Sequence, residues 1–197
     1  MQFVKEHSVK TLEVKQSKFI SHLLPYGLYD EVLKSLKEEH PKARHFVAAW
    51  RYINEFDQIV EHCSDDGEPK GTSGKPTLAV LAGNGLINSA VIIVRYFGGT
   101  KLGTGGLVRA YSDACNGVIS VSDLVPYVKL NTYVFFVKYT DISLVEYKLD
   151  ENKILTDKKE FDEYGALFTV LCELDVWKQF HKENQRCLSI KEKTKQG

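Results

Sequence analysis

RYFGGTKLGTGGLVRAY, residues Arg95–Tyr111, holds five glycines in seventeen positions, with an arginine at its head, a lysine inside and a second arginine near its end. The residues before it, Ala90 to Phe97, form the most apolar run of the chain and are rich in β-branched side chains, the pattern of a buried strand. On its C-terminal side apolar residues recur at Leu107, Tyr111, Ala114 and Val118, one face of a helix about four turns long. Strand, glycine loop, helix is the order that places a loop at a helix N-terminus. There the first four backbone N–H groups lack partners and the macrodipole is positive. Gly98, Gly99, Gly103, Gly105 and Gly106 let a ligand come close to the backbone. With Arg95, Tyr96, Lys101 and Arg109 beside them, the stretch is read as an anion site, phosphate above all. The plainer alternative is that the glycines only permit tight packing of helix on strand.

Upstream, SDDGEPKGTSGKP (64–76) is turn chemistry throughout. A short helix should come next, with Ser73 or Thr72 as N-cap, Pro76 in its first turn and an end near Gly83–Gly85. Lys70, Gly71, Gly74 and Lys75 therefore join the anion-binding or nucleic-acid-binding set. Asp65, Asp66 and Glu68 crowd three carboxylates into four residues. Such oxygens could hold Mg²⁺ beside a phosphate, or they could simply make turns and cap the helix. No other cofactor is expected. Charge is polarised across this region. Six acids and no Lys or Arg lie between Glu55 and Glu68; five basic residues and no acid lie between Pro69 and Ser112. Neither G-x-x-x-x-G-K-[ST] nor G-x-G-x-x-G occurs, so no nucleotide signature supports ATPase or dinucleotide chemistry.

The rest of the chain sets the frame. Its 197 residues fit one large or two small domains, with balanced charge, 43% hydrophobic and 26% charged residues. No stretch approaches the roughly 18 apolar residues of a membrane span, and the charged N-terminus has no signal-like apolar run, so a cytoplasmic protein with no membrane partner is expected. Cys63, Cys115, Cys172 and Cys187 lie far apart and read as reduced thiols. Alternation over 5–24 predicts two strands joined near Gln16; 29–39 is helical and stopped by Pro41; 45–53 and 58–63 predict a strand pair. After Pro126 the predicted order is strand 130–139, helix 142–149, strands 153–156 and 165–172, helix 175–184 and strand 187–190. That is βαββαβ, a ferredoxin-like plan. The fold class is α+β in two domains, 1–128 and 129–197.

No catalytic residue is assigned. His62 and Cys63 are neighbours on a strand and point to opposite faces. Trp50, Tyr52, Tyr96, Phe97 and Tyr111 are candidates for base stacking, with Tyr96-Phe97 the better placed.

SDDGEPKGTSGKP together with VRYFGGTKLGTGGLVRAY resembles the signature of the IMPACT/YigZ family, over about 48 residues from Ser64 to Tyr111. The resemblance extends over the chain to the bacterial two-domain branch. It implies a first domain like the second domain of a small-subunit ribosomal protein, domain IV of elongation factor G and the GHMP kinases. It implies a tail like domains III and V of elongation factor G. Eukaryotic relatives regulate translation initiation and carry an added RWD domain not contained in these 197 residues, so their kinase-activating partner is not carried over. The resemblance implies a cytoplasmic, non-catalytic regulator of translation with RNA or the ribosome as partner. The alternatives are a Mg-dependent enzyme acting on a phosphorylated small molecule, and an adaptor with a protein partner.

Overall fold

The computed structural model describes residues 1–190. It is a mixed α+β structure that divides into two compact units, Met1–Tyr127 and a second beginning at Val128.

The first unit is built on a five-stranded antiparallel sheet. Its strands are β2 (Ser8–Val14), β3 (Ser17–Pro25), β4 (His45–Ile53), β5 (Ile59–Ser64) and β6 (Ser89–Tyr96), in the order β2-β3-β6-β4-β5. A two-residue turn joins β2 to β3, with Lys15 and Gln16 at φ +45° and +64°, the left-handed pair whose twist suits a tight hairpin. β6 lies at the centre and is buried on both faces, which explains its unbroken apolar run. Val91 and Ile93 face a core shared with α2 (Gly74–Gly83) and α3 (Gly103–Ile119). Ala90, Ile92 and Val94 face the other way, onto Leu36 of α1 (Tyr29–Glu39). Two short strands that the sequence pattern does not announce, β1 (Gln2–Val4) and β7 (Leu124–Pro126), pair with each other and tie together the two ends of the unit.

The second unit runs β8 (Asn131–Lys138), α4 (Ile142–Glu151), β9 (Leu155–Phe161), β10 (Gly165–Cys172), α5 (Leu174–Asn184) and β11 (Ser189–Ile190). The sheet is antiparallel in the order β11-β8-β10-β9. Phe135, Val137, Phe168 and Val170 pack under Val145 and Leu149 of α4 and Trp177 and Phe180 of α5. β9 corrects the expected strand at 153–156. It starts two residues later and continues through Asp157-Lys158-Lys159-Glu160, a run whose charges read as loop. As the sheet edge it keeps Asp157, Lys158 and Glu160 exposed, which is how natural edges avoid pairing with other chains, while Lys159 turns onto Glu146 of α4. Among the described residues, no helix is long and apolar enough to cross a membrane.

Candidate anion-binding site

β5 ends at Ser64, and the next three carboxylates diverge at once. Asp65 turns back over the start of α2. Its Oδ2 accepts the Gly71 N–H at 2.7 Å; its Oδ1 accepts the Ser73 hydroxyl at 2.7 Å and the N–H groups of Gly74 and Ser73 at 2.8 and 3.2 Å. Burial pushes the Asp65 pKa up, but these four hydrogen bonds outweigh it and hold the carboxyl below the usual aspartate value. Ser73 does occupy the N-cap position, yet its hydroxyl caps nothing and donates to Asp65 instead. Asp65 does the capping. The expected anion at Gly71 and Gly74 is thus supplied by the chain itself. A side chain on Gly74 has no room, because its Cβ would lie 2.8 Å from the Ser64 backbone.

Asp66, held at φ +41°, faces β4: its Oδ2 accepts the Phe46 N–H at 2.6 Å and its carbonyl accepts from His45 Nδ1 at 2.8 Å. Glu68 goes inward. Its Oε1 accepts from Arg95 Nη1 at 2.5 Å and from the Tyr111 hydroxyl at 2.8 Å. Glu68 is only 8% exposed, Arg95 6% and Tyr111 fully buried. The Phe19 ring meets Tyr111 edge-on and lies 5.4 Å from the Arg95 guanidinium. Burial, then the Glu68 charge and hydrogen bond, drive the Tyr111 pKa far up, so its hydroxyl stays a donor. The acidic stretch therefore does meet the basic one in space, but Arg95 meets Glu68 and not Asp66. As the expected phosphate ligand Arg95 needs correction, because its charge is already paired with Glu68 and largely buried. The three carboxylates do not form a magnesium cluster: among the described residues no group of three or more His, Cys, Asp or Glu is placed to hold a metal ion.

The glycine stretch also divides. The loop proper is short, and Gly103, Gly105 and Gly106 belong to the first turn of α3. Gly98 is demanded by packing: its N–H donates to Ser17 Oγ at 3.1 Å, and a Cβ there would sit 2.0 Å from the Gln16 carbonyl carbon. Gly105 has no such reason, since a Cβ would meet nothing within 4 Å. No side chain caps the α3 N-terminus.

What remains open to a ligand is a pocket of about 400 Å³ at the end of the β4–β6 pair, where His45 lies opposite Arg95. Lys42 and Arg44 line it from the segment leading into β4 and His45 from the first residue of β4; Arg95 and Tyr96 line it from the end of β6 and Phe97 from just beyond; Lys101 closes it from the glycine loop. Lys42, Arg44 and Lys101 are exposed, and among the described residues they have no acidic partner. No carboxylate lines the pocket. Phe97 is 57% exposed, while Tyr96 is held by a 3.0 Å contact from its hydroxyl to His40 Nδ1. Of the residues read from sequence, Arg95, Tyr96 and Lys101 come together here. Gly71 and Lys75 line a separate, open hollow between α2 and α3 with Val80 and Val108. Arg109 and Lys70 are exposed and line neither. Of the stacking candidates, Tyr111 is in the core, and Trp50 and Tyr52 pack with Tyr26 at ring distances of 5.1 and 4.5 Å. Sequence reasoning misses Lys42, Arg44 and His45. Their only signal is two cations in PKARH directly before a strand that pairs with β6.

A cationic pocket on an α+β unit, with a βαββαβ unit after it, defines the class: a two-unit protein with no nucleotide signature. Residues 15–119 match the Impact N-terminal domain, and the chain belongs to the IMPACT family. It is 37% identical over 137 residues to the IMPACT family member YigZ of Escherichia coli, covering 68% of this chain and 67% of that one. It is 32% identical over 163 residues to the IMPACT family member YvyE of Bacillus subtilis, covering 81% and 74%. An IMPACT family member of Haemophilus influenzae is 47% identical over 109 residues, 54% of this chain and 52% of that one. A solved structure described as a hypothetical protein superposes with a TM-score of 0.65 at 28% identity, covering 96% of this chain and 95% of the other.

Proposed function

We propose that this protein binds the phosphate backbone of single-stranded RNA and acts around translation in the cytoplasm without catalysing a reaction. The observation that carries the reading is the convergence of Lys42, Arg44 and Lys101, uncompensated, on one pocket beside the exposed ring of Phe97. Cations for the backbone and an open aromatic face for a base are the two components of sequence-tolerant single-strand binding. The uncapped first turn of α3 begins two residues after Lys101 and adds backbone donors with positive dipole. The βαββαβ order of the second unit supports the finer likeness to domains III and V of elongation factor G. The likeness of the first unit to a ribosomal-protein domain and to the GHMP kinases is part of the same proposal. The enzymatic alternative needs Asp65, Asp66 or Glu68 free for Mg²⁺, whereas each holds a protein donor.

Fluorescence anisotropy with mixed-sequence single-stranded RNA over a salt series tests the reading. Three neutralised phosphates give a log–log slope of roughly −2, at about −0.7 per phosphate. Lys101→Gln should weaken all sequences alike and flatten the slope by about 0.7, because phosphate contacts position without specifying. Absence of binding at low salt refutes it.

A further inference from the structure

We infer that the pocket takes a terminal phosphomonoester, the phosphorylated end of an RNA strand or a free nucleotide, held by Lys42, Arg44 and Lys101. As to the strand end, the inference rests on the RNA reading; as to the chemistry of the phosphate, it stands on the pocket. Three observations point the same way. First, the cations converge. They come from segments more than fifty residues apart and share one hollow of about 400 Å³, within the size of small-ligand sites. Second, the charges match. A phosphomonoester carries about −1.5 to −2 charges near neutrality and three acceptor oxygens, where a phosphodiester carries one charge. Three uncompensated cations fit the first far better. Third, no carboxylate lines the pocket, and its cations offer only donors. Lysine ammonium and arginine guanidinium offer only N–H groups. Two carboxylates held close to the lining residues are already engaged: Glu68 by Arg95 and Tyr111, Asp66 by the Phe46 N–H. Arg95 adds a buried wall whose Nε has no acceptor. Phe97 at the rim supplies a face for the base attached to the phosphate, as stacking recognition requires.

The test uses the full chain and one short single-stranded RNA in three forms, unphosphorylated, with a 5′-phosphate and with a 3′-phosphate, with AMP and inorganic phosphate as competitors. Anisotropy gives the strand affinities; thermal unfolding gives stabilisation by AMP. One phosphorylated strand should bind about tenfold more tightly than the bare strand, a difference of one strong charge-assisted contact set. In the Lys42→Gln/Lys101→Gln double variant, which alters exposed side chains only, that advantage should fall below about threefold. Which end is preferred tells which polarity enters the pocket. Equal affinity for bare and phosphorylated strands overturns the inference and leaves the RNA reading standing. If no strand binds but AMP stabilises the protein and fails to stabilise the double variant, the pocket chemistry holds and the RNA reading falls. If neither strands nor AMP bind, both are refuted.

Discussion

Removing Glu68 should strand a charge. Arg95 is only 6% exposed, Glu68 Oε1 is the acceptor of both its Nη1 and the Tyr111 hydroxyl, and Arg95 Nε already has no partner. In Glu68→Ala nothing else within the described contacts takes the positive charge except the Phe19 and Phe97 rings, at 5.4 and 5.9 Å. Breaking one side of a buried pair costs about 3–5 kcal/mol, because the remaining charge keeps its desolvation penalty without its partner. We take about 4 kcal/mol for this site. With an unfolding entropy of about 2.1 cal/mol/K per residue over a unit of this size, that is a fall in Tm of about 15 °C. The control removes the charge along with its partner. In Glu68→Met/Arg95→Met/Tyr111→Phe no buried polar group of the triad is left, and replacement of a buried pair by apolar residues of similar volume is often neutral. The triple variant should lie within about 1 kcal/mol of the parent. Trp50 is the single tryptophan of the first unit, so urea unfolding monitored by fluorescence in a Trp177→Phe background reads that unit alone. A loss below about 1 kcal/mol in Glu68→Ala would refute the reasoning, since Arg95 would then have water or another acceptor within reach. A triple variant as unstable as the single one would show that shape, not stranded charge, sets the cost.

Two further outcomes test other parts of the first unit. Burial, with the charges of His7 and His40 adding to it, lowers the His22 pKa to about 4. A histidine whose folded pKa is depressed favours the native state above the unfolded value of about 6.5, and that contribution drains as pH falls toward 4. Its full size is about 3 kcal/mol, so His22→Gln should show a smaller loss of stability between pH 6.5 and pH 4 than the parent in urea titrations; equal losses would deny the depressed pKa. Gly98→Ala should destabilise by about 2–3 kcal/mol because its Cβ collides with the β2–β3 turn, whereas Gly105→Ala, in open space on a helix, should stabilise by about 0.5–1 kcal/mol. Thermal unfolding of the pair decides it, and loss of stability in both would mean that Gly105 also meets a close neighbour.

How much of the fold is legible in the sequence depends on the range of the interactions. β6 and α3 are legible because their patterns are local: an unbroken apolar run, and Leu107, Tyr111, Ala114 and Val118 at helical spacing. The hairpin at Lys15-Gln16 is legible for the same reason. The short pair β1–β7 is not, because three-residue strands at opposite ends of the unit leave no periodicity to read. At the site, composition shows which residues seek anions but not which anions reach them. Gly71 and Gly74 receive Asp65, and Arg95 receives Glu68, pairings made by how β5 and α2 lie against β4 and α3. These pairings decide which cations stay available. Once the chain's own carboxylates are assigned, the pocket cations without an acidic partner among the described residues are Lys101 and two residues that no motif marks, Lys42 and Arg44, which the pairing of His45 with Arg95 brings alongside. Asp65, Glu68, Arg95 and Gly98, which stand out in the sequence, hold the loop in place, and, Lys101 apart, the cations free to meet a ligand are the inconspicuous ones on the segment it is held against.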